Sequence, residues 1–274
     1  MTPPRGKGWV AGVLALAAFA LGTGAVDGQI AEAARAVGDG GLTFSYPVRP
    51  GTRICGGGGR GRSVTGGTWI SRGDEKPTGE RDCREGSALV EVILAGGLPT
   101  DIDLVAPGQS PARGSRELGR VAGEVAVRWL LDDIVRSDPP LARDAVDGAL
   151  IAAVIADSVV VWPELLDIAQ DRDAPSRTRK SAIFWLGQEA ADVVTEELVA
   201  TAGDVLEEAD IREAAVFAIS QGDAEESVQA LMTLARNAPA ADTRRSALFW
   251  LAQSDDPRVP AFFGEILRGG PAGR

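Results

Sequence analysis

The chain repeats itself, and few folds tolerate that. Residues 179–188 read RKSAIFWLGQ, and residues 244–253, 65 positions on, read RRSALFWLAQ. Between them, residues 212–221 read REAAVFAISQ, so the steps are 33 and 32 residues. One step back, residues 146–155 (VDGALIAAVI) keep Ala149 and Leu150 in register but lack the arginine and the glutamine. A second apolar stretch follows each of these segments. In it Leu165, Leu198, Leu231 and Phe263 align, as do Ala169, Ala202, Ala235 and Leu267. A unit of this length cannot bury its own apolar faces, so stacked neighbours must cover them.

The spacing within a unit is helical. Ala182, Trp185 and Leu186 stand at i, i+3 and i+4, which is one buried face. Pro175, Pro239 and Pro257 stand at or just before helix starts, where proline is tolerated. Asp210 and Asp242, two residues ahead of Arg212 and Arg244, are placed to cap first helices. Four two-helix units are therefore expected over about 142–171, 174–206, 209–236 and 240–268. An earlier helix over about 117–136, carrying Trp129, Leu130, Leu131, Ile134 and Val135, is expected to cap them. The fold class this predicts is mainly α, an α-solenoid of two-helix repeats.

Charge and glycine change together ahead of the repeats. Residues 29–114 carry ten basic and ten acidic residues, whereas 115–274 carry 16 and 28, a net charge of −12. Residues 29–119 hold 19 of the 34 glycines and 120–268 hold six. Glycine-rich neutral sequence suits turns and strands; glycine-poor sequence suits helices. Two parts are thus expected, 29–114 and 115–274, joined through the Pro/Gly/Ser stretch 107–114. In the first part, Leu42, Phe44 and Tyr46 alternate within a strand over 42–48. Residues 88–94 and 98–105 read as a hairpin around Gly96 and Gly97. The expected result is a small N-terminal antiparallel β module.

Cys55 and Cys83 are the only cysteines and lie in that module. In an exported chain such a pair forms a disulfide, with a metal site or a reactive thiol as the alternatives. Export is read from the first 28 residues. Arg5 and Lys7 precede a 13-residue apolar run, residues 9–21, and then small residues. That layout is a secretory leader, cleaved after Ala25 or, preferably, Gly28. The run is too short to cross a bilayer. Gly56, Gly58 and Gly61 match G-x-G-x-x-G in form, but no buried strand precedes them and no helix follows, so they read as a loop tip.

The R-x-x-A-x-x-x-[LI] pattern in two-helix units resembles HEAT repeats over about 142–268. The short period is similar to that of the bacterial HEAT-like group first noted in bilin-lyase subunits. The resemblance implies a HEAT-like α-solenoid in which Arg179, Arg212 and Arg244 join an inter-repeat ladder of hydrogen bonds and ion pairs. Val146, in the arginine's place, departs from the pattern. So does the absence of a clearly polar-capped last repeat. Gln188, Gln221 and Gln253 are expected as a parallel ladder of partly buried amides. Trp185 and Trp250, with Ala218 at the third equivalent position, read as packing between units; ligand anchors are the alternative.

Chemistry is thinly encoded. There is no histidine, which excludes His-dependent triads, Cys–His pairs and the common catalytic zinc sites. Adjacent carboxylates such as Glu196–Glu197 and Glu225–Glu226 do not share a helix face and make poor acid/base pairs. No catalytic, cofactor or metal residue is assigned. A net charge of −11 disfavours nucleic acid as a partner. Glu196, Glu197, Glu225 and Glu226 instead form a candidate surface for a basic or cation-bearing protein. The expected function is an exported, non-enzymatic scaffold or protein-binding protein, periplasmic or extracellular, with no stable membrane span after cleavage. The alternative, implied by the resemblance alone, is a bilin-lyase-like enzyme or lyase subunit, and the export signal argues against it.

Overall fold

The computed structural model describes residues 28–56, 68–71, 83–222 and 224–268. The leader expected over 1–28 lies, except for Gly28, outside the described residues, as do Gly58 and Gly61. In chain order the elements are α1 (Gln29–Val37), β1 (Gly40–Pro47), β2 (Arg53–Gly56), β3 (Thr68–Ser71), β4 (Cys83–Glu85), β5 (Ser87–Ala95), β6 (Leu98–Leu104) and β7 (Arg116–Arg120). Then come α2 (Gly123–Arg128), running into a π-helical segment (Trp129–Val135), α3 (Arg143–Val154), α4 (Trp162–Gln170), α5 (Ser176–Glu189) and α6 (Thr195–Gly203). The last four are α7 (Ala209–Ile219), α8 (Ala224–Asn237), α9 (Ala241–Leu251) and α10 (Val259–Leu267).

Alternation builds the main sheet. Leu42, Phe44 and Tyr46 of β1 are fully buried on one face, beside Ala88, Val90 and Val92 of β5 and Ile102 of β6. Gly96 and Gly97, with φ of 60° and 79°, make the two-residue turn from β5 to β6. Positive φ at both central residues is the type I′ geometry that matches the twist of a hairpin. Strand order is β6-β5-β1-β7, and β7 runs parallel to β1. A separate antiparallel sheet, β3-β2-β4, sets Cys55 directly opposite Cys83. Their sulfurs form a disulfide with an S–S distance of 2.02 Å.

The buried face of the main sheet is covered by α1, by α2 with the π segment, and by α3. Trp129 meets the Phe44 ring edge-on at 6.0 Å. The Tyr46 hydroxyl donates to the Ala152 carbonyl of α3 at 2.5 Å, and burial raises its pKa far above the ordinary phenol value. Gly148 lets α3 lie directly on β6: a Cβ there would stand 1.8 Å from the Ile102 carbonyl oxygen. Sheet and helices therefore share one hydrophobic core.

These facts overturn the expected mainly α fold, a HEAT-like α-solenoid with a small N-terminal antiparallel β module. The chain forms a mixed α/β fold. Its main sheet is mixed rather than antiparallel, because residues beyond the 107–114 stretch return as β7. The helix expected over 117–136 begins only at Gly123; Glu117, Leu118 and Gly119 lie in β7. Nor does α3 act as a free-standing first repeat helix: one side packs on β5 and β6, another on α5. That is why it is apolar almost all round.

Beyond α3 the helices lie in two rows. α5, α7 and α9 contact one another in turn on one side, and α6 and α8 contact each other on the other side. Neither Asp210 nor Asp242 is an N-cap: Glu208 and Ala240 hold those positions, without side-chain capping bonds, and both aspartates sit in first turns. The sheet is tied to this array by Arg49, whose guanidinium pairs with Glu189 at the end of α5 and whose Nε donates to the Ala156 carbonyl at 3.3 Å.

Candidate binding surface

A guanidinium taken out of water needs partners on all sides. Arg179 is 4% exposed. Its Nε donates to the Ala169 carbonyl at 2.8 Å, and its two terminal nitrogens grip the Glu207 carboxylate at 3.0 Å each. Glu207 stands in the link just ahead of α7, and Arg172 reaches it as well at 3.1 Å. One unit further on, Arg212 bonds to Asp242 at 2.5 Å, and its Nε donates to Thr243 Oγ1 at 3.3 Å. The Thr243 hydroxyl in turn donates to the Ala202 carbonyl at 3.1 Å. Ala202 is the counterpart of Ala169, so Thr243 relays a contact that Arg179 makes directly. Arg244 donates to the Ala238 and Pro239 carbonyls at 2.6 and 2.8 Å. Arg179 and Arg212 are buried and join successive helices, whereas Arg244 is only half-buried and bonds to the turn ahead of its own helix.

The surface residues read from the sequence separate into two places. Glu196, Glu225 and Glu226 line one groove of about 1290 Å³ between α6 and α8, with Asp192, Val193 and Arg258. Glu197 does not line it and is half-buried. All four glutamates sit in the first turns of their helices, where free backbone N–H groups favour carboxylates. Helix formation alone therefore accounts for them. Gln188, Gln221 and Gln253 lie on the other row and are exposed, not partly buried. The Gln188 amide donates to Gln221 Oε1 at 3.4 Å.

Beside those amides runs an aromatic row that sequence reasoning misses. Phe184, Phe217 and Phe249 are equivalent positions on α5, α7 and α9, whereas the repeat pattern draws attention to Trp185 and Trp250. Phe184 stacks on Phe217, with centroids 6.0 Å apart and planes 6° apart. Phe217 meets Trp250 at 5.1 Å, and Phe249 meets the same indole at 5.1 Å. Trp185 closes the other end against Phe184 at 5.2 Å. Phe184, Phe217 and both indoles are half-buried, and Phe249 is 57% exposed. A signal is present: a phenylalanine recurs at the sixth position of all three aligned segments.

Ala218 replaces tryptophan for a steric reason. Gly187 of α5 presses on it so closely that a Cβ at 187 would stand 2.7 Å from the Ala218 Cα. Next to the row, a groove of about 360 Å³ between α7 and α9 is lined by Glu213, Arg245, Ser246, Phe249 and Trp250 among others. Carboxyls near the row are set to stay charged. The Asp242 pKa is lowered by the Thr243 backbone N–H and by Arg212, and the Asp210 pKa by its bond from Lys180. The carboxyls raised by burial, Asp101 and Asp133, stand elsewhere, on β6 and in the π segment. Among the described residues no group of three or more acidic or cysteine side chains is placed to hold a metal ion. Nor, among them, is any helix long and apolar enough to cross a membrane. No protein-family model matches the chain, and a search of curated proteins found no match.

Proposed function

We propose that this chain is an exported, non-catalytic protein-binding protein that engages its partner through the aromatic row across α5, α7 and α9. The observation that carries this reading is the exposure of Phe249, at 57%, in continuity with four further rings. Folding does not require a phenylalanine in water, and an exposed ring that continues into half-buried ones offers an apolar surface for a partner to cover. Aromatic residues are also the commonest energetic anchors of protein interfaces. Export is supported by the cationic start, the apolar run and small residues of the leader, and by the Cys55–Cys83 disulfide. The net charge of −12 over residues 115–274 favours a basic partner over nucleic acid.

The test is capture from a cell-envelope extract by the mature protein and by a Phe184→Ser/Phe249→Ser double variant, with quantitative mass spectrometry. Proteins held by the wild type and lost from the variant support the reading. Identical capture profiles overturn it, provided circular dichroism shows the variant folded.

A further inference from the structure

We infer that the end of the helical array formed by α9 and α10 is the contact surface of a twofold dimer of this chain. The inference is separate from the protein-binding reading above, because it uses the side of α9 that faces away from α7.

Equivalent positions define that side. Gly187 of α5 presses on Ala218 of α7, so the ninth position of each aligned segment looks toward the following helix. Ile183, one turn earlier on the same side, is fully buried, as is its counterpart Val216. On α9 the same two positions are Ala252, which is exposed, and Leu248, which is only half-buried. The second row ends in the same way. Leu165, Leu198 and Leu231 are buried, as are Ala169, Ala202 and Ala235. Their counterparts on α10 are Phe263, half-buried, and Leu267, 85% exposed. Phe262 and Glu265 of α10 turn instead toward α8, where both meet Arg236. A repeat array that ends in water carries a polar outer face on its last unit. Here Leu248, Phe263 and Leu267 stand where the preceding units bury their side chains.

The arginines indicate what covers this end. Arg179 is met by Glu207 ahead of α7, and Arg212 by Asp242 of α9, each time from the chain that follows. Arg244 bonds to the Ala238 and Pro239 carbonyls and forms no ion pair among the described residues. The next layer must therefore supply apolar side chains and a carboxylate. A second copy of the same end supplies both. Asp255, just past the C-terminal end of α9, is exposed and forms no ion pair among the described residues. When two copies of α9 run antiparallel about a twofold axis at Leu248, Arg244 of each copy stands opposite Ala252 of the other. The short alanine side chain leaves room for Arg244 to reach Asp255 of the other copy. Arg245, exposed on the border between this end and the groove, lies beside it. Twofold symmetry makes each contact twice. A parallel pairing would set the arginines of the two copies against one another. Head-to-tail extension is blocked, since α3 at the other end of the array is packed on β5 and β6. The assembly is therefore a closed dimer and not a filament.

Sedimentation velocity of the chain over a concentration series tests this. The expected result is a reversible monomer–dimer equilibrium, weakened about tenfold or more by Leu267→Asp, the loss typical of a central apolar contact. Arg245→Glu and Asp255→Arg should each weaken it, and the double variant, which restores opposite charges across the twofold, should recover it. All three positions are exposed, and circular dichroism checks that the fold is kept. A chain that stays monomeric at every concentration overturns the inference, as does a dimer indifferent to Leu267→Asp and to both charge variants. A double variant as weak as the single ones overturns the antiparallel pairing. A dimer weakened only by Phe249→Ser moves the self-contact to the aromatic row and overturns the inference as well. Capture from envelope extract should be the same for Leu267→Asp as for the wild type, so this inference and the protein-binding reading fail separately.

Discussion

Replacing Gly148 by alanine separates two architectures by the sign of its effect. In a helix free of the sheet, glycine to alanine at a mid-helix position stabilises by about 0.8–1 kcal/mol. In the fold described here the new Cβ would lie 1.8 Å from the Ile102 carbonyl oxygen and 2.8 Å from its carbon. Both contacts are with backbone, so no rotamer change relieves them. Helix α3 must retreat from β6 by more than an ångström, which also loosens Tyr46 from its Ala152 acceptor. Overpacking typically costs about 1–3 kcal/mol and sometimes more, and a backbone clash this close belongs at the top of that range. After the propensity gain, a net loss of at least about 2 kcal/mol remains. Gly203, at the end of α6, is the internal control: a Cβ added there would meet nothing within 4 Å, and Gly203→Ala should stabilise by about 0.5 kcal/mol. Urea denaturation with a common slope measures both. Stabilisation by Gly148→Ala would refute the shared core of helix and sheet.

Further outcomes follow from the same contacts. Arg179→Ala breaks a buried pair and should cost about 3 kcal/mol, the low end for such pairs because Arg172 still reaches Glu207; Arg179→Lys keeps the charge but not the two-pronged grip and should recover only part, both read by chemical denaturation. Reducing Cys55–Cys83, which closes a separation of 28 residues, should lower stability by about 3–4 kcal/mol in a melt with and without reductant. Burial, and then the Asp103 charge, raise the Asp101 pKa. The folded state thus holds this proton more tightly, and stability falls as pH rises from the unfolded carboxyl value through the raised folded one. Asp101→Asn should therefore stabilise at pH 7, with the gain vanishing below the ordinary carboxylate range. Asp242, lowered by the Thr243 N–H and Arg212, has the opposite sign: Asp242→Asn should cost stability at pH 7 and nothing in strong acid.

Local pattern is what the sequence makes legible. Leu42, Phe44 and Tyr46 alternate as a half-buried strand must, and the Gly96–Gly97 pair sits where a hairpin turn needs positive φ. The arginine recurrence marks two positions, Arg179 and Arg212, that the structure buries against carbonyls and carboxylates, and a third, Arg244, that is half-buried against carbonyls alone. Strand β7 escapes because Arg116–Arg120 has one apolar residue, Leu118, and no alternation. Its place beside β1 is decided by a parallel crossover through space, which local pattern does not encode. The apolar character of α3 reads as repeat packing, since periodicity alone does not distinguish a sheet from a helix as the covering layer. The recurrence of Gln188, Gln221 and Gln253 matches that of buried residues, yet these amides are exposed. Phe184, Phe217 and Phe249 are easily overlooked beside their larger tryptophan neighbours. The binding role proposed for them rests on the exposure of Phe249, which only the packing of three helices defines.

Hydroxyl-radical footprinting of the protein bound to its captured partner tests the proposed binding surface most directly. Oxidation of Phe184, Phe217, Phe249 and Trp250 should fall sharply on complex formation, while side chains around Glu196, Glu225 and Glu226 are labelled as in the free protein. Unchanged labelling of the four rings, with protection appearing along the α6–α8 groove instead, would contradict the assignment of the aromatic row as the binding surface.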